Sequence, residues 1–138
     1  LGDHRITVTG KRGALLVLCP ASATDAVLAS TADLPVEIVV VRDHDGTLSP
    51  ADIVAALHAR EFASIACEGG PGLAAQLLAA GLVDEVCLST SPQLGGPVVP
   101  LFGTGESEPQ RLELRQLLTD GESGLYARWA LAAGSARQ

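Results

Sequence analysis

Residues 64–86 read SIACEGGPGLAAQLLAAGLVDEV, and the fold depends on how this stretch is parsed. A short apolar run ends in a carboxylate, Glu68. Gly69, Gly70, Pro71 and Gly72 follow, and then Leu73, Leu77 and Leu78 recur at helical spacing until Gly81. The run 64–67 fits a short buried strand, and the leucine spacing fits a helix near 71–80 with its apolar stripe on a core. Pro71 is preset for the first helical turn, and Gly81 can adopt the left-handed conformation that ends a helix. A further apolar segment, 84–91, reads as the next strand. Strand, glycine turn, helix, strand is the repeating unit of an α/β domain.

The same alternation extends to both sides. Upstream, ALLVLC (14–19) and VEIVVV (36–41) are continuous apolar runs of the kind that strands buried on both faces show. Between them, 21–31 reads as a short helix with Ser22 or Thr24 as its cap. RDHDGTL (42–48) reads as a turn. The segment 49–62 reads as a helix with Ser49 as N-cap, Pro50 at the first helical position and Asp52 against the positive end of the dipole. RITVT (5–9) is a short strand leading into the basic turn GKRG (10–13). Downstream, QRLELRQLLT (110–119) and GLYARWALA (124–132) flank DGES and predict an antiparallel hairpin. Leu125, Ala127, Trp129 and Leu131 share one face. The alternation of the first strand breaks at Gln116–Leu117, which predicts a bulge. The expected fold is α/β, with a mostly parallel sheet and a C-terminal antiparallel hairpin.

Composition narrows the function. A chain of 138 residues with 47% apolar content can bury a real core, and its net charge of −7 argues against general nucleic-acid binding. No apolar run approaches the ~18 residues of a membrane span, and the polar first residues do not resemble a signal peptide. Cys19, Cys67 and Cys87 are widely spaced, form no C-x-x-C pair and follow apolar residues. They read as buried, reduced thiols of a cytoplasmic protein, with no metal site. The histidines look solvated. The sequence has no methionine and begins beside a strand, so a fragment, a processed chain or missing segments are expected.

The glycine turn has two readings. Either it simply bends the chain tightly, or it lets a phosphate approach the helix N-terminus with no Cβ in the way. Neither the dinucleotide fingerprint G-x-G-x-x-G nor the Gly-Lys-Ser/Thr of a P-loop is present. Glu68 is either solvated or a functional carboxylate beside a ligand. Arg5, Lys11 and Arg12 gather close to one strand end, either as a solvated turn or as a clamp for a further phosphate.

The segment CEGGPGLAAQLLAAGLVDEVCLSTSPQLGG (67–96) resembles the signature of the riboflavin-biosynthesis pyrimidine reductases, the reductase domain of bifunctional deaminase-reductase proteins. The order from ITVTG (6–10) through LLVLCP (15–20) to LTDGESGLYARW (118–129) is also similar. The resemblance implies a dihydrofolate-reductase-like α/β/α fold in three layers, of which this chain is one domain lacking its first strands. It implies NADPH as cofactor, with Gly69, Gly70, Gly72 and Leu73 at its phosphates. Thr9 and Gly10 would lie near the 2′-phosphate, with Lys11 and Arg12 as helpers. Glu68 would be the catalytic-site carboxylate, orienting the substrate or the nicotinamide ribose. The implied reaction reduces the ribosyl side chain of a ribosylamino-pyrimidine phosphate to ribityl, in a cytoplasmic homodimer without nucleic-acid or membrane partners. Gly72 stands where the family usually has threonine, and the link between ITVTG and ALLVLC is short for the family, so missing residues near 10–13 are expected. Two other readings compete: reduction of dihydrofolate or another pterin on the same fold, and a non-catalytic nucleotide-binding or oligomerisation module.

Overall fold

A computed structural model describes residues 15–96, 100–102 and 109–132. The strand expected at 5–9 and the residues Thr9, Gly10, Lys11 and Arg12 lie outside the described residues. The chain divides into two compact units, Leu1–Ile65 and Ala66–Gln138.

In the first unit, β1 (Leu15–Cys19) is followed by a single 3-10 turn (Ala21–Ala23), α1 (Thr24–Thr31) and β2 (Val36–Val40). β1 and β2 pair in parallel, from Leu15 opposite Val36 to Cys19 opposite Val40. The Val41 N–H extends the ladder by donating to the Cys19 carbonyl at 2.9 Å. Cys19, Thr31, Val39 and Val41 are buried together with this pair as its core. The Thr31 hydroxyl is satisfied there, donating to the Val27 carbonyl at 2.7 Å. Neither Ser22 nor Thr24 caps α1: the N-cap is Ala23, without a side-chain bond. The 3-10 turn leads directly into the helix and supplies a backbone start, so the expected side-chain acceptor is not used.

Two short strands, β3 (Asp43–His44) and β4 (Thr47–Leu48), form a tight antiparallel hairpin within the expected turn. Asp45 (φ 53°) and Gly46 (φ 77°) both take the left-handed conformation that such a two-residue loop requires. The Asp43 carboxylate accepts from the Gly46 N–H at 2.8 Å. α2 (Pro50–His58) starts as its sequence predicts: Ser49 is the N-cap and its hydroxyl oxygen accepts from the Asp52 N–H at 3.1 Å. The same hydroxyl donates to the Asp52 carboxylate at 2.5 Å. The helix stops at His58 rather than running on to 62, and Glu61 enters the left-handed region at φ 64°.

The strand expected at 64–67 is absent. Residues 62–70 have neither helix nor ladder pairing and are exposed. A strand exists only through hydrogen bonds to a neighbour, and nothing among the described residues pairs with this run. It also straddles the boundary between the two units.

The second unit contains α3 (Pro71–Ala79), β5 (Glu85–Thr90), β6 (Leu112–Thr119) and β7 (Leu125–Leu131). Gly81 (φ 65°) closes α3 as expected: its N–H donates to the Leu78 carbonyl and the Leu82 N–H to the Leu77 carbonyl, both at 3.0 Å. This reciprocal pair is the Schellman ending. The three strands form an antiparallel sheet in the order β5-β7-β6. The chain is therefore α/β with the C-terminal hairpin expected. Parallel pairing among the described residues is confined to β1 and β2, and β5 joins the hairpin instead of a parallel sheet.

Opposed residues of an antiparallel ladder share a face. Val86, Trp129 and Leu114 therefore line one side with Leu88, Ala127 and Leu117, and Cys87, Arg128 and Gln116 lie on the other. The bulge falls at Arg115, one residue before the break in alternation, because the ladder passes from Leu114–Trp129 directly to Gln116–Arg128. At the turn, one oxygen of Asp120 accepts from the Glu122 N–H (2.9 Å) and the Gly124 N–H (2.8 Å), and the other from the Tyr126 hydroxyl (2.7 Å). Only Cys19 of the three thiols is buried; Cys67 and Cys87 are exposed. Cys87 lies on the sheet face it shares with Arg128, and Cys67 lies in the irregular segment, so an apolar preceding residue did not entail burial. His44 and His58 are exposed, as expected.

Candidate active site at the glycine turn

The turn is built by the start of α3. Gly70 is its N-cap in an extended conformation (φ −70°, ψ 173°), and Pro71 occupies the first helical position. Proline's fixed φ suits that position, and its missing N–H forfeits nothing at a helix start. The Gly70 carbonyl accepts from the N–H groups of Leu73 (3.1 Å) and Ala74 (3.2 Å), which anchors the first turn. The N–H groups of Gly69, Gly70 and Gly72 donate to no backbone carbonyl among the described residues. A helix start with free N–H groups carries about half a positive charge and attracts anions.

The three glycines are glycine for different reasons. A Cβ on Gly69 would lie 2.7 Å from Leu73 Cδ2, 3.3 Å from Leu73 Cβ and 3.4 Å from Cys67 Sγ. At Gly69 the Leu73 side chain folds back over the turn and would have to shift to admit a Cβ. Gly70 and Gly72 have no such constraint: nothing lies within 4 Å of a Cβ built on either, and neither has a positive φ. Gly70 is the helix N-cap, a position that glycine favours, and internal packing requires glycine at neither position. A group approaching the backbone from outside would need the space that a Cβ at these positions would fill, so the turn fits a phosphate.

Glu68 stands at the head of this turn and is exposed. Among the described residues it joins no ion pair. The structure thus brings Glu68, Gly69, Gly70, Gly72 and Leu73 together in one local turn. Residues 61–110 contain no lysine or arginine. Within this stretch of sequence, the N-terminus of α3 is therefore the source of positive potential. Leu73 contributes through its side chain against Gly69 as well as through its backbone, a packing role that leucine spacing alone does not reveal.

No group of histidine, cysteine and acidic side chains suited to a metal ion occurs among the described residues. A shallow hollow lined by Leu16, Glu37, Ala59, Arg60, Glu61 and Phe62 belongs to the first unit and includes no residue of the glycine turn. Arg60 spans it, pairing with Glu37 at 2.9 Å and donating to the Ala56 carbonyl at 3.3 Å. With its cation already paired, the hollow offers no comparable anion site. No helix among the described residues is long and apolar enough to cross a membrane.

Comparison with known proteins agrees with the resemblance carried by 67–96. A pyrimidine reductase-like protein from Corynebacterium diphtheriae is similar in structure, with a TM-score of 0.69 and 30% identity over 86% of this chain. The chain spans 50% of that protein's length. A protein assigned to riboflavin biosynthesis from Shewanella sp. PV-4 shares the fold, with a TM-score of 0.55 and 22% identity over 94% of this chain and 80% of its own. No curated protein sequence matches the chain. The fold is the dihydrofolate-reductase-like α/β fold of the riboflavin-type reductases. The sequence pattern of the RibD C-terminal domain matches residues 3–126, and the chain belongs to that family.

Proposed function

We propose that this chain is part of an NADPH-dependent reductase of the riboflavin-biosynthesis type, acting on a ribosylamino-pyrimidine 5′-phosphate. The observation that carries this reading is the open space over Gly70 and Gly72, which the chain's own packing does not explain. On this reading the occupant of that space is the phosphates of the cofactor, which the family assignment supports. Gly70, Gly72 and the backbone of Leu73 would hold them, with Gly69 shaping the turn from beneath. Thr9 and Gly10, with Lys11 and Arg12, would serve the 2′-phosphate; residues 61–110 supply no cation for it.

When bound, NADPH supplies the hydride that reduces the ribosyl side chain to ribityl. The chain's own contribution is to bind and orient. The start of α3 offsets phosphate charge through its N–H groups. Glu68 orients a hydroxyl of the substrate or of the nicotinamide ribose as a hydrogen-bond acceptor. We further propose that the chain works as a single reductase-like domain in a cytoplasmic homodimer.

The test is turnover by the full-length protein. NADPH should be oxidised with the ribosylamino-pyrimidine phosphate, and much more slowly with dihydrofolate. Faster turnover of dihydrofolate would overturn the substrate assignment. Saturable NADPH binding with no turnover of either would mark a non-catalytic binding module.

A further inference from the structure

We draw no further inference here: the strongest candidate, the apolar sheet face that Leu112, Leu114 and Leu117 of β6 form beside Trp129 of β7, carries nothing because nothing in the structure shows what covers it.

Discussion

Replacing Gly72 by alanine separates the two explanations for the glycine turn. If the turn serves only the chain, Gly72 is a defect: it lies in the first turn of α3 with no positive φ and no neighbour within 4 Å of an added Cβ. Alanine is better than glycine by up to about 1 kcal/mol in a helix interior, and by about 0.5 kcal/mol at a compatible position near an end. The ligand-free protein should therefore melt roughly 1–3 °C higher. If a phosphate approaches the backbone here, the added methyl group displaces it from an N–H. Losing one charge-assisted hydrogen bond costs about 1.5–3 kcal/mol, which is at least a tenfold weaker Kd. At an NADPH concentration 100 times the original Kd, the ligand stabilises the protein by about 2.7 kcal/mol, and a tenfold loss leaves about 1.4. Thermal melting of the full-length protein with and without NADPH reads both effects. The expected result is a higher ligand-free Tm and a ligand increment cut to half or less. Gly69→Ala is the contrast: its Cβ meets the Leu73 side chain at 2.7 Å, so Leu73 must shift and the gain in ligand-free Tm should be smaller than for Gly72→Ala. An undiminished NADPH increment in both Gly72→Ala and Gly70→Ala would refute the phosphate cradle.

Three further outcomes are expected. Glu68→Gln should leave melting unchanged, since the side chain is exposed and joins no ion pair among the described residues, while kcat/KM falls at least tenfold, or about 1.4 kcal/mol; wild-type turnover would remove Glu68 from the site. Ser49→Ala removes the side-chain cap of α2 and should cost about 1 kcal/mol, with Ser49→Thr recovering most of it in denaturant melts; no loss would mean that the cap is dispensable. At the hairpin turn, the Tyr126 hydroxyl, then the N–H groups of Gly124 and Glu122, hold Asp120 below its ordinary value of 3.8. This contribution to stability is complete above the unfolded value and is lost as pH falls through the lower folded one. The carboxylate conversely raises Tyr126 above 10.0, so that contribution is present below 10.0 and lost as pH rises through the raised value. Tyr126→Phe should move the Asp120 carboxyl titration, followed by NMR, back toward 3.8; an unmoved titration would sink the assignment.

Much of the local structure was legible because it is written in neighbouring residues. Ser49-Pro50-Ala51-Asp52 announces a helix start, Gly81 announces a stop, and DGES between two alternating runs announces a hairpin. Each is decided within a few residues by capping and left-handed conformations. Apart from the cap of α1 and the end of α2, the misreadings involve partners distant in sequence. The run 64–67 has the composition of a strand, but composition does not supply the neighbouring ladder. Cys87 follows an apolar residue, yet its exposure depends on which sheet face the β5–β7 register assigns to it. The site followed the same division. The cluster from Glu68 to Leu73 is local and was readable as a unit, whereas the different reasons for Gly69 and for Gly70 and Gly72 required coordinates. Leu73 folding back on Gly69 is a three-dimensional fact that the four-residue spacing permits but does not dictate.

The bulge at Arg115 bears on open-ended strand addition at the edge of this sheet. A regular outer strand repeats its donors and acceptors at constant spacing, and that repetition lets a second strand add on and a third after it. β6 is the outer strand of its sheet among the described residues, and leucines at 112, 114, 117 and 118 would favour such growth. The extra residue breaks the repetition in the middle. A strand in phase with Leu112–Leu114 is out of phase with Gln116–Thr119, and it also meets the Arg115–Glu113 ion pair (3.2 Å). Templated pairing is therefore limited to a few residues, and a hairpin with the composition of a fibril seed can remain confined to its own sheet.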